Sequence, residues 1–191
     1  YVAVEGAEDS QDLAKRDLKD LKLNKNDIVL GLAASGRTPY VIGGLDYAKA
    51  IGALTISIAC VKDSKIGHHA DIAIEAVVGP EAITGSTRMK AGTAQKMILN
   101  MISTGVMIKQ GKVFENVMID VKPTNSKLID RACRIIQTTT GVSTPEARNT
   151  LEKANNDVGL AIVMLKTNSD LNQAKNLLKA ENGNVAEVLN K

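Results

Sequence analysis

The sequence predicts an α/β fold: an open parallel sheet flanked by helices, followed by a small helical region. Three observations carry that expectation. Short, almost continuous apolar runs alternate with helical stripes as far as Gly111, the pattern of a parallel sheet buried on both faces. Two segments rich in hydroxyl groups and glycine stand where a helix should begin, at Ser35 and at Thr84. After Pro123 the strand-like runs stop and only helical periodicity remains. The chain has 191 residues, 44% of them hydrophobic and 24% charged, which suits a globular domain or one domain with a small appendage.

Each element follows from its residues. Ser10 is a helix N-cap behind the acidic pair Glu8 and Asp9, and Leu13, Leu18 and Leu21 continue a stripe up to Leu23. Residues 24–27 are a turn, and residues 28–34 are a strand. Thr38 caps the next helix with Pro39 at its first position; Val41, Ile42, Leu45 and Ala48 line it, and it ends near Gly52. Residues 53–61 form a second strand, 62–69 a loop and 72–78 a third strand, which Gly79 and Pro80 stop. A long helix from about Thr87 carries Ala94, Met97, Ile98, Met101 and Ile102 and ends near Gly111. Leu128, Ile129, Ala132, Ile135 and Ile136 define a helix that Gly141 terminates. Ser143 and Glu146 have capping-box spacing, residues 158–165 are helical, and Ser169 caps a last helix that ends near Gly183.

Composition excludes several classes. The 24 basic and 21 acidic residues leave a net charge of +3, too little for a nucleic-acid partner. The aromatic residues are Tyr1, Tyr40, Tyr47 and Phe114, too few for base-stacking or sugar-stacking platforms. No apolar run approaches the ~20 residues a bilayer requires. The richest, residues 97–108, is broken by Asn100, Ser103, Thr104 and Gly105. No secretory signal opens the chain, and Cys60 and Cys133 read as reduced thiols of an intracellular, cytoplasmic protein. A first residue of Tyr rather than Met reads as a start within a longer chain.

Two loops have the chemistry of an anion site. Ser35-Gly-Arg-Thr38 lies between a buried strand and a helix N-terminus, where open α/β sheets bind ligands. Hydroxyls add donors, and glycine lets the backbone approach a phosphate closely. Thr84-Gly-Ser-Thr-Arg-Met-Lys90 repeats the arrangement, with Lys90 as a point charge projecting one turn into the helix. For both, plain turn formation and helix capping is the competing explanation. Neither loop is a Walker or dinucleotide motif. Glu5, Glu8 and Asp9 form an acidic cluster that is either an acid–base group or simply an acidic helix start. His68 and His69 lack a third ligand at useful spacing, so no metal is expected, and nothing near Cys60 would activate it.

Three segments together resemble the N-acetylmuramic acid 6-phosphate etherases: Glu5-Gly-Ala-Glu-Asp-Ser10, Ala34-Ser-Gly-Arg-Thr-Pro-Tyr-Val41 and the thirteen residues from Thr84 to Lys96. Shorter matches at 100–105, 111–114 and 120–125 follow in order. The resemblance implies a sugar isomerase (SIS) domain over residues 1–122 whose N-terminal part is missing, then a helical region over 123–191 with ubiquitin-associated-like helices at about 143–183. It implies cleavage of the ether between D-lactate and C3 of the amino sugar, in cell-wall recycling. A base removes the C2 proton of the ring-opened aldehyde, an acid protonates the departing lactate oxygen, and water adds at C3. Such chemistry needs two carboxylates and no metal or cofactor.

By the same resemblance, Glu8 is the base. Ser35, Gly36 and Thr38 form one ligand loop, and Ser86, Thr87 and Lys90 the other. The family's second catalytic glutamate and a further glycine- and serine-rich loop lie ahead of Glu5, so these 191 residues alone are expected to be inactive. A homodimer is implied, with the helix from about Thr87 at the contact. Two alternatives share the architecture: a non-catalytic sugar-phosphate-binding regulatory protein and an aldose–ketose isomerase.

Overall fold

A computed structural model describes residues 6–190; the readings of Tyr1 and Glu5 lie outside the described residues. The chain divides into two compact units after Met101.

The first unit opens with a 3-10 turn, Ala7–Asp9, and helix α1, Gln11–Asp20. Ser10 is the N-cap as expected, its Oγ accepting the Leu13 N–H at 3.2 Å. Strands β1 (Ile28–Leu32), β2 (Leu54–Ala59) and β3 (Ile72–Glu75) form a parallel sheet in that order, with α2 (Pro39–Ala50) between the first two. Gly31, Ser57 and Ala73 align across the sheet as a row of small residues. The row lets α2 pack tightly: a Cβ on Gly31 would lie 2.7 Å from Val41 Cγ1. Ala33, Ile42, Leu45, Ala59 and Ile66 are the buried core on this side. The opposite face starts with Ile28, Leu54 and Ile72, which are 61%, 42% and 47% exposed.

The strands are shorter than their apolar runs. Beyond β1 and β2 the chain keeps single bonds, Ala33 N–H to Ile58 O and Cys60 N–H to Ala34 O, then turns away at Gly36. Residues 62–69, expected as a loop, contain the four-residue helix α3, Lys65–His68, capped by Ser64. Thr38 holds the N-cap position of α2, but its side chain makes no capping bond; Pro39 at the first position already removes one N–H in need of a partner. Helix α4, Lys90–Lys109, begins at Lys90 itself rather than near Thr87; Ser86 and Thr87 are irregular backbone between two turns.

The second unit adds an antiparallel hairpin, β4 (Val113–Phe114) and β5 (Val117–Met118), and helices α5 (Ser126–Thr140), α6 (Thr144–Lys153), α7 (Val158–Thr167), α8 (Leu171–Ala180) and α9 (Val185–Leu189). Helix α7 is the centre of the core, with Val158 through Val163 all buried. Gly141 ends α5 in the left-handed conformation, as the sequence suggested, and Ser143 Oγ accepts the Glu146 N–H, one of the two bonds of the expected capping box. The cap of α8 is Asp170 rather than Ser169. Its carboxylate takes the Asn172 and Gln173 N–H groups while the Gln173 side chain answers its own N–H.

Candidate functional site

The two loops are linked through one residue, Cys60, just past the end of β2. Ser35 and Gly36 follow β1 and precede α2; Ser35 is exposed and Gly36 is buried. Gly36 has φ +69°, and a Cβ there would fall 2.6 Å from Ser64 Cβ and 2.8 Å from Val61 Cγ2. Its carbonyl accepts the Ile66 N–H at 3.0 Å. The turn is therefore clamped onto the segment that follows β2, and only glycine fits.

The second loop sits beside it. Cys60 N–H donates to Ala34 O at 3.1 Å, and Cys60 Sγ lies 3.7 Å from the carbonyl of Ala91. Ser35 follows Ala34 in the chain, and Lys90 precedes Ala91. The carboxyl ends of β1 and β2 and the start of α4 thus converge, the place where open α/β sheets hold ligands. Ser86 Oγ accepts the Arg88 N–H at 3.2 Å, and Thr87 is exposed. Burial pushes the Cys60 thiol up, with the nearby Glu81 carboxylate adding to the effect.

Lys90 is the first residue of α4, and its Nζ donates to the Pro80 carbonyl at 2.8 Å. Its own N–H and that of Ala91 go to Glu81, at 3.1 Å each. These bonds hold the Glu81 carboxyl below its usual range. Glu8 is exposed in the 3-10 turn, which packs on α2, the helix that opens just after Thr38. The first residue of α1 presses on the same helix, since a Cβ on Gly43 would fall 2.6 Å from Gln11 Cα. The turn that carries Glu8 is thereby tied to the helix that follows Ser35–Thr38.

Sequence reasoning missed Glu75 and Glu81. Each carboxylate holds two consecutive backbone N–H groups behind one of the loops: Asp63 and Ser64 for Glu75, Lys90 and Ala91 for Glu81. Both reach across nine or more residues, beyond any local capping pattern, and the only hint was a carboxylate just past Gly79 and Pro80. Among the described residues no group of three metal-binding side chains stands together, and no helix is long and apolar enough to cross a membrane. A cavity of about 680 Å³ lies in the second unit, lined by Lys112, Asp120 and Asp157 among others. None of the sequence-predicted site residues borders it; its charged lining includes Lys122 and Lys179, and Lys112 pairs with Asp120 at 2.9 Å.

The chain is 72% identical over 189 residues to the N-acetylmuramic acid 6-phosphate etherase of Lactobacillus acidophilus, covering 99% of this chain and 63% of that one. The etherase of Lactobacillus johnsonii is 72% identical over 190 residues, covering 100% and 64%. That of Clostridium botulinum is 60% identical over 187 residues, covering 98% and 62%. The chain thus spans less than two thirds of the length of these relatives. In the helical region the match, over residues 115–159, is to the C-terminal lid domain of glucokinase regulatory protein. The SIS domain model matches residues 7–104, just over half of the chain, which therefore belongs to the SIS domain family.

Proposed function

We propose that the complete protein is a carbon–oxygen lyase. In this reading it cleaves the D-lactyl ether of N-acetylmuramic acid 6-phosphate to N-acetylglucosamine 6-phosphate and D-lactate, in the recycling of cell-wall amino sugars. The observation that carries the proposal is 72% identity, across 99% of this chain, to a relative named for that etherase activity. The link of the two hydroxyl-bearing segments through Cys60 supports it.

Ser35, Gly36 and Thr38 form one wall of the sugar-phosphate site, and Ser86, Thr87 and Lys90 the other. Glu8 removes the C2 proton, made acidic by the neighbouring aldehyde. A second glutamate, outside these residues, protonates the lactate oxygen, and water then adds at C3. No metal or cofactor takes part. The protein acts in the cytoplasm as a homodimer, and the exposed Met97 and Met101 of α4 are consistent with a contact there. Helices α6 to α8, three ten-residue helices in succession, are our ubiquitin-associated-like segment.

The match to the lid domain of glucokinase regulatory protein favours one second reading, a regulatory protein that binds sugar phosphates without catalysis. Incubation of the complete protein with N-acetylmuramic acid 6-phosphate separates the two. Stoichiometric D-lactate is the result expected. Binding without lactate supports the regulator, and neither binding nor lactate overturns both.

A further inference from the structure

We propose that Glu81 is a positioning residue that clasps the neck of the loop at residues 82–89; this rests on the reading of Ser86 and Thr87 as ligand-binding residues. Glu81 Oε2 accepts the Lys90 N–H and Oε1 the Ala91 N–H, at 3.1 Å each. Lys90 Nζ closes the neck a second time on the Pro80 carbonyl at 2.8 Å. The chain therefore leaves and returns at one point, held by three bonds that include both charges.

The neck is anchored from below. Ala91 is buried, and its carbonyl faces Cys60 Sγ at the end of β2. The end of the loop is also held where Gly92 N–H reaches Thr87 O at 2.9 Å and Thr93 N–H reaches Met89 O at 3.0 Å. Within it, Ser86 N–H reaches Ile83 O at 3.1 Å and Arg88 N–H reaches Ser86 Oγ at 3.2 Å. Ile83 and Met89 are 74% and 66% exposed and give no apolar anchor. The directions of the Ser86 and Thr87 hydroxyls are thus set largely at the neck.

The clasp also decides how an anion is received. The first N–H groups of a helix lack partners within it, and α4 has no acidic residue in its own first turn. Glu81 consumes two of these donors from outside the helix. The next two, of Gly92 and Thr93, go to Thr87 O and Met89 O, so a ligand phosphate is left to the loop hydroxyls rather than to the first amides of α4. The geometry therefore makes Glu81 a determinant of ligand affinity, while the reacting carbons are handled elsewhere.

The test compares wild-type complete protein with Glu81→Gln and Glu81→Ala, using N-acetylmuramic acid 6-phosphate as substrate. Glu81→Gln keeps the shape but loses the charge and one of the two acceptors. It should raise KM about tenfold, the loss of a charge-assisted bond, with kcat within about threefold of wild type. Glu81→Ala should raise KM further. In both variants the amides of residues 82–91 should exchange faster while the melting temperature stays close to wild type. Wild-type KM and exchange in both variants would overturn the proposal. So would a fall in kcat alone, or a loss of activity that simply follows global unfolding. A wild-type protein that neither binds nor turns over the substrate removes the functional reading, and with it this one; an active wild type with indifferent variants removes only the clasp.

Discussion

The Glu75 carboxylate accepts the backbone N–H of Ser64 at 2.8 Å, and the buried Ser64 in turn closes against Gly36. Its other oxygen takes the Asp63 N–H, also at 2.8 Å. The end of β3 thus braces the segment on which the Gly36 turn rests.

This brace predicts acid sensitivity. The Ser64 bonds, followed by that of Asp63, hold the Glu75 carboxyl below its usual range, and His68 adds to the effect. A carboxyl lowered in the folded state contributes stability above its unfolded value, about 4.3, and loses it as pH falls through the folded value. Glu75→Gln should therefore melt below wild type near pH 7, and the gap should shrink toward about pH 3. Melting followed by circular dichroism across that range is the check. A gap that does not change with pH would mean the carboxylate charge contributes nothing.

Gly36→Ala and Gly85→Ala should differ. Both glycines have positive φ, +69° and +87°. Alanine at Gly85 meets nothing within 4 Å, so only backbone strain of about 1–2 kcal/mol is added. At Gly36 the new methyl also collides with Ser64 and Val61. Gly36→Ala should cost more than Gly85→Ala in urea denaturation, and should weaken binding of N-acetylglucosamine 6-phosphate as the turn is pushed off its support. Equal costs would show that the turn moves freely.

Much of the fold was legible in the sequence. The runs at 28–34, 53–61 and 72–78 became three parallel strands, because a strand covered by helices is written as an unbroken apolar run. Ser10, Ser143 and Gly141 announced helix ends through local chemistry. The hairpin at Val113–Met118 was not legible, since two-residue strands have no period to read. Helix α3 was hidden for the same reason. In the site, the hydroxyl loops were visible as composition at strand-to-helix junctions. Glu75 and Glu81 were not, because their partners lie nine to twelve residues away and only the folded sheet brings them together.

Ser35→Ala separates ligand binding from folding. Ser35 is exposed and makes no side-chain hydrogen bond among the described residues, so its hydroxyl has no structural task there. The variant should keep the wild-type melting temperature. It should weaken N-acetylglucosamine 6-phosphate binding by roughly 0.5–1.5 kcal/mol, somewhat more if the bond meets charged phosphate oxygen. Calorimetric titration gives the number, and an unchanged dissociation constant removes Ser35 from the site.

Glu8→Gln tests the base. Ser10, not Glu8, caps α1, and the Glu8 side chain makes no hydrogen bond or ion pair among the described residues. An exposed carboxylate with no structural partner can be exchanged for its amide at a cost within about 0.5 kcal/mol. Glutamine keeps the shape and cannot accept the C2 proton. In the complete protein, sugar-phosphate binding should persist while D-lactate release falls by about 10²–10⁴-fold, the usual contribution of acid–base catalysis. Exchange of the C2 proton with deuterated solvent should fall with it, because that step belongs to the base alone. Turnover at the wild-type rate would leave Glu8 as an acidic helix start. A dead Glu5→Gln beside an active Glu8→Gln would move the base three residues upstream, outside the described residues, and leave the rest of the site as it stands.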